Sequence, residues 1–150
     1  MAHAPEPPFA HDRIPKVGVL LVNLGTFDAE RREATAIALE ATTNRVPWVL
    51  DPVFVDRSRP RAAFARELLA RRPAVARLNH AEFAALADAS PSRDSALSYA
   101  RLNRTVVAVS GETDLVTDGQ RIASIANGHP LMAKVTAMGC AGSALVAACL

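Results

Sequence analysis

The sequence predicts an α/β fold, a mostly parallel sheet flanked by helices. Three observations lead there. Short apolar runs alternate with segments of helical period along the chain, the order that builds parallel strands joined by helical crossovers. The runs are nearly continuous rather than alternating, as in strands covered on both faces. The distinctive polar residues fall where those runs end, which is where open α/β sheets bind their ligands.

Residues 1–16 read as a proline-rich arm, with Pro5, Pro7, Pro8 and Pro15 among the ten prolines of the chain. Proline lacks an amide hydrogen and turns its predecessor away from helix. Residues 17–150 read as one domain. Its first strand runs through KVGVLLVNL, where Val17, Val19 through Val22 and Leu24 are apolar. Asp28 caps the helix AERREATAIALEAT, whose Ala34, Ile37, Ala38 and Ala41 share a face. VPWVL is the next strand, stopped by Pro52. Residues 61–71 follow as a helix, with Ala65, Leu68 and Leu69 on one side. AVARL is a short strand, and Asn79 caps HAEFAALA. ASPSRDS reads as a polar loop with a weak helix after it to Arg101. TVVAVSG is a further buried-type strand. ETDLVTDGQRIASI reads as a hairpin turning at Asp118-Gly119, and NGHP as a second turn. TAMGCAGSALVAACL reads as a glycine turn feeding a helix of small residues. Leu150 falls inside that apolar helix without a polar cap, so the fold is expected to be incomplete as given.

Half of the residues are hydrophobic, enough to build a core at 150 residues. The formal net charge is only +2 and the arginines are scattered among acids, so no basic face for nucleic acid is expected. No apolar stretch reaches the roughly 18 residues of a membrane span. The N-terminus also lacks the apolar segment of a signal peptide. Cys140 and Cys149 make no disulfide framework, which points to a reducing, cytoplasmic setting.

The strand-end rule selects Asp51, Arg77 with Asn79, Ser110 with Gly111, and the Gly139-Cys140 turn. The last is the strongest. Free amides at a helix start favour an anion, glycine allows close backbone approach, and the helix dipole favours a thiolate at a cysteine placed there. The plainer reading of Cys140 is a small buried residue at a tight helix–strand contact. Cys149, mid-helix among alanines, reads as packing only. Asp51 and Glu82 are candidate Mg2+ ligands acting through water, since magnesium keeps several waters and takes few carboxylates. Their plainer readings are a strand-end turn before Pro52 and an acid favoured in the first turn of a helix. Arg77 suits a phosphate through its planar fork, or lies on the surface. Ser110 with Gly111 suits a phosphate or ribose, or a plain turn. His129 reads as a turn residue rather than a base.

Together, VNLGT with DAERREA, PWVLDPV, ARLNHAEFAAL, VAVSGETDLVTDG and NGHPLMAKVTAMGC occur in an order that resembles hydroxyethylthiazole kinases over roughly residues 20–150. MAHAPE is similar to a further stretch of that family. The resemblance implies a ribokinase-like fold. It implies transfer of the γ-phosphoryl group of ATP to the primary alcohol of 4-methyl-5-(2-hydroxyethyl)thiazole, with Mg2+, in thiamine biosynthesis or salvage. It also implies homotrimers with sites at subunit interfaces. Carried over by motif, Cys140 takes the place of the catalytic cysteine, and Gly139 with Met138 that of the anion hole. Arg77 and Ser110 match ATP contacts, Met1 and Ala137 match contacts to the thiazole, and Asp51 and Glu82 match the acids that organise magnesium.

The chain departs from the family pattern in several places. Ala137 stands where the family has a glycine, Leu78 replaces the glycine of Arg-Gly-Asn, and Ser110 replaces threonine. The glycine-rich DPVGxG turn has become Asp51-Pro52-Val53-Phe54-Val55-Asp56. The family is also longer at both ends, so little kinase activity is expected of this chain alone, and a non-catalytic remnant that binds nucleotide or contributes a subunit is the rival reading. KVGVLLVNLGT is similar to the opening strand of ferrochelatases, but over only about eleven residues and without their later histidine and glutamate motifs.

Overall fold

Six strands, β1 (Leu20–Asn23), β2 (Trp48–Asp51), β3 (Val75–Asn79), β4 (Val106–Ser110), β5 (Asp114–Thr117) and β6 (Ile122–Ile125), lie side by side in sequence order in one sheet. The computed structural model describes residues 18–42 and 46–150, so the proline-rich arm and Met1 lie outside the described residues. Neighbours from β1 to β4 pair in parallel, and the last two pairings are antiparallel. Connection length decides this. Parallel neighbours need a long crossover, supplied by α1 (Ala29–Thr42), α2 (Arg59–Ala70), and the pair α3 (His80–Ala87) and α4 (Arg93–Asn103). Only residues 118–121 join β5 to β6, and Thr117 pairs with Ile122. The loop is thus longer than a tight turn at Asp118-Gly119. Asp118 Oδ1 accepts from the amides of Gln120 and Arg121 at 2.8 and 2.7 Å, while Gly119 takes a φ of 89°. The Arg121 and Gln120 amides hold the Asp118 carboxyl down to about 2.

Strand alternation divides the sheet into two faces with different contents. On one face Val22, Trp48, Leu50, Ala76, Leu78, Val107 and Val109 merge with Leu68, Leu69, Phe83 and Tyr99 into the hydrophobic core. The Phe83 and Tyr99 rings meet edge to face, 5.3 Å between centroids. Burial pushes the Tyr99 hydroxyl up to about 12. The intervening strand positions carry Asn23, Asp51, Arg77, Asn79 and Ser110. The last helix, α5 (Met138–Ala148), packs on this second face over β1 and β2.

The weak helix expected before Arg101 is well built. Ser92 Oγ accepts from the Ser95 amide at 3.1 Å, and Ser95 Oγ accepts from the Ser92 amide at 2.9 Å. This reciprocal box turns the end of ASPSRDS into the first turn of α4, and Ala96, Tyr99 and Ala100 are buried behind it. The motif escapes a search for the usual form because serine replaces the glutamate at its far end. Among the described residues no helix is long and apolar enough to cross a membrane.

Candidate active site

The parallel register brings polar strand ends together. Asn23 pairs with Asp51 and Asn79 with Ser110. Asp51 is 1% exposed, and its Oδ2 accepts from Asn23 Nδ2 at 2.7 Å. The same amide reaches Cys140 Sγ at 3.5 Å. Asp51 Oδ1 has no hydrogen-bond partner in this arrangement; the Ser143 hydroxyl donates to the Gly139 carbonyl at 3.1 Å, yet lies close enough to Asp51 to turn to it. Burial pushes the Asp51 carboxyl up from its ordinary range, opposed by the Ser143 hydroxyl, the Arg77 charge and the Asn23 amide. Asn23 was not among the expected site residues. Its signal was a lone amide in an otherwise apolar strand, LLVN.

Glu82 is 3% exposed and does two jobs at once. Its Oε2 accepts from the Asn79 amide at 2.8 Å, while Asn79 Oδ1 accepts from the Glu82 amide at 2.9 Å, a complete capping box. Its Oε1 accepts from the Phe54 amide at 3.2 Å, which ties the β2–α2 loop to α3. Burial pushes this carboxyl up as well, against the Asn79 and Phe54 amides. The neighbouring charge of Asp51 raises it further. The plain helix-start role and the place beside Asp51 are therefore both present.

Arg77 lies inside β3, not beyond its end. It is half-buried on the α5 face, and a Cβ at Gly139 would stand 2.9 Å from its Nη1, so the bare glycine lets the guanidinium lie against the start of α5. From there its charge acts on both Asp51 and Glu82. Ser110 ends β4, its hydroxyl donating to the Leu78 carbonyl at 3.3 Å. His129 is a turn residue, with Nδ1 accepting from the Leu131 amide at 3.2 Å.

Ala137 sits at the cap of α5 with φ 60° and no side-chain cap bond. The first ladder bond runs from the Ala141 amide to the Ala137 carbonyl at 2.9 Å, so the amides of Met138, Gly139 and Cys140 precede it. Cys140 is exposed, not a buried packing residue. Cys149 is also exposed, at the C-cap of α5 rather than mid-helix. Phe54 takes φ 62°, keeping a left-handed bend where the family turn has glycine. A left-handed backbone costs an L residue about 1–2 kcal/mol, and glycine returns about 0.5–1 kcal/mol through its freer unfolded chain. Ala137→Gly is therefore expected to stabilise the fold by about 0.5–1 kcal/mol, read as a higher urea midpoint at unchanged slope. Phe54→Gly is expected to be near neutral. It loses the stacking of Arg57 and Arg61 on the ring, at 5.3 and 5.9 Å.

The raised carboxyls carry a pH signature. In the window between the ordinary carboxylate range and the raised folded values, the folded chain holds more protons than the unfolded chain. Stability therefore falls as pH rises through that window. Asp51→Asn removes a buried charge, so it should raise the melting temperature at neutral pH and flatten this fall. Melting curves across acid to neutral pH check both; a lower melting temperature at neutral pH would contradict it.

Among the described residues no group of three or more His, Cys, Asp or Glu side chains forms a ready cage for a metal. The unpartnered buried oxygen of Asp51, with Glu82 nearby, instead fits a hydrated magnesium held by few carboxylates. A cleft of about 420 Å³ lies elsewhere, lined by side chains of α1 and α2 such as Arg32, Phe64 and Glu67.

The model of the hydroxyethylthiazole kinase family matches residues 10–150. A hydroxyethylthiazole kinase of Klebsiella pneumoniae is 45% identical over 143 residues, covering 86% of this chain and 56% of the relative. The solved hydroxyethylthiazole kinase protein from Pyrococcus horikoshii superposes with a TM-score of 0.84 at 32% identity, over 92% of this chain and 56% of that one. The pyridoxal kinase of Bacillus subtilis, solved as an ADP complex, shares the fold alone, with a TM-score of 0.65 at 22% identity over 88% of this chain and 56% of its own. The six-stranded sheet is thus ribokinase-like and incomplete, and the chain spans about half the length of the relatives it matches. The chain belongs to the hydroxyethylthiazole kinase family.

Proposed function

We propose that the chain serves ATP-dependent phosphorylation of the primary alcohol of 4-methyl-5-(2-hydroxyethyl)thiazole, in thiamine biosynthesis or salvage. One observation carries this reading: the uncapped start of α5, with Cys140 exposed, lies directly over the buried Asp51 and beside Arg77. Phosphoryl transfer passes through a loose transition state in most analyses, so positioning and charge stabilisation matter more than base strength. The amides of Met138, Gly139 and Cys140 are the anion hole for the transferring group. Cys140 Sγ takes the proton of the attacking hydroxyl. Arg77 and Ser110 face the nucleotide, and Ala137 the thiazole. Asp51 and Glu82 hold Mg2+ through water. Both Glu82 oxygens already accept a backbone amide, which leaves a lone pair on each for such a water. Bound magnesium supplies neutralisation of the phosphate charge. A homotrimer completing the site at subunit interfaces belongs to the same proposal.

The test is a coupled ADP-release assay with ATP, Mg2+ and the thiazole alcohol, run beside the Klebsiella relative. Thiazole-dependent release is expected, well below the relative's rate because the chain spans about half of that relative's length. Nucleotide binding without any thiazole-dependent release would favour the non-catalytic reading instead.

A further inference from the structure

Asn23 touches more of the site than any role assigned so far uses. Its Nδ2 donates to Asp51 Oδ2 at 2.7 Å and to Cys140 Sγ at 3.5 Å. Its Oδ1 accepts from the Gly25 amide at 2.9 Å. That third bond fixes the orientation of the amide. With the oxygen committed to a backbone donor, only the NH2 end can face Asp51 and Cys140. The glycine matters here, because a Cβ at Gly25 would stand 2.9 Å from Asn23 Oδ1 and push the amide out of place. A carboxylate accepts and never donates, so Asp51 and a Cys140 thiolate would repel each other if they met directly. The amide between them gives each a donor.

We propose that Asn23 is a positioning residue, whose fixed side-chain amide bridges Asp51 and Cys140 and holds the Cys140 sulfur in place at the start of α5. This deepens the kinase reading and rests on it for its purpose, but its physical content does not depend on turnover. The other charged groups packed under the start of α5 are Asp51 from β2, Glu82 from α3 and Arg77 from β3. The amide adds a neutral donor at hydrogen-bond range.

The experiment measures the rate of iodoacetamide alkylation of Cys140 at one fixed pH in the 150-residue chain, resolved by peptide mass, with Cys149 as internal reference. Asn23→Leu keeps the branched shape of the side chain, somewhat enlarged, and removes the donor. Gly25→Ala displaces the amide without altering Asn23 itself. Each is expected to change the Cys140 rate by about 2–10-fold, the scale of losing one hydrogen bond, with Cys149 unmoved. Should Asn23→Leu fail to fold, Gly25→Ala decides alone. A Cys140 rate unchanged in a folded variant, or changing together with that of Cys149, overturns the proposal. Failure of the kinase reading would appear separately, as no thiazole-dependent ADP release from the unsubstituted chain.

Discussion

Glu82→Ala is expected to cost the fold about 3 kcal/mol, since each buried donor left without a partner costs about 1–3 kcal/mol. Two donors are stranded, the Phe54 and Asn79 amides. The first anchors a loop that already holds a left-handed phenylalanine, and the second caps α3. Relief of a buried charge returns part of the loss, since burial disfavours the ionised form here. Against a usual total of about 5–15 kcal/mol, such a loss leaves little margin. Glu82→Gln should fall between, because its carbonyl still accepts one amide while its NH2 confronts the other. Urea unfolding measures both. A variant as stable as the unsubstituted chain would show that the two amides find other partners.

Asp51→Asn should lower thiazole-dependent turnover by about 10²–10³-fold, the scale of losing one preorganised electrostatic group. The same change should raise stability, so the two measurements move in opposite directions. That opposition marks a group kept for chemistry at a cost to the fold. Cys140→Ala should also slow turnover, by about 10²-fold if the thiol takes the proton. Cys149→Ser should change nothing, because its exposed side chain lies at the far end of α5. If Cys149→Ser abolished turnover and Cys140→Ser spared it, the assignment of the reacting cysteine would be wrong.

The alternating apolar and helical runs made the parallel sheet legible, and each parallel strand formed where its run was seen. Asp51 and Glu82 were legible as candidate metal acids, but not their proximity, since they come from different elements and Glu82 reaches the loop after Asp51 through the Phe54 amide. Asn23 was not legible. A single amide in LLVN gains meaning only when the β1–β2 register sets Asp51 opposite it, and register is a long-range property. Arg77 was seen, but at a strand end. Its place inside β3, against the glycine of α5, depends on where the last helix lands. The left-handed Phe54 was hidden for a different reason. Aromatic residues rarely adopt that backbone, so local propensity argues against the conformation that the Glu82 bond stabilises.

The division of the sheet into a core face and a polar face also shapes how variation would register in a saturation screen. Scored for cellular abundance, β1 to β4 should be intolerant at Val22, Leu50, Ala76, Leu78 and Val109, the core positions. Scored for turnover, intolerance should extend to the residues between them, Asn23, Asp51 and Arg77. Val49 and Val75, buried on the second face, should join the abundance profile, so the two profiles separate only at the polar strand ends. Insertions and deletions are then a separate hazard. Losing one residue from β2 exchanges the faces of everything beyond it in the strand, setting Asp51 into the core place of Leu50 and Pro52 into the place of Asp51 beside Asn23. Substitutions in these strands can be sorted as structural or chemical, whereas a one-residue frame slip is both at once.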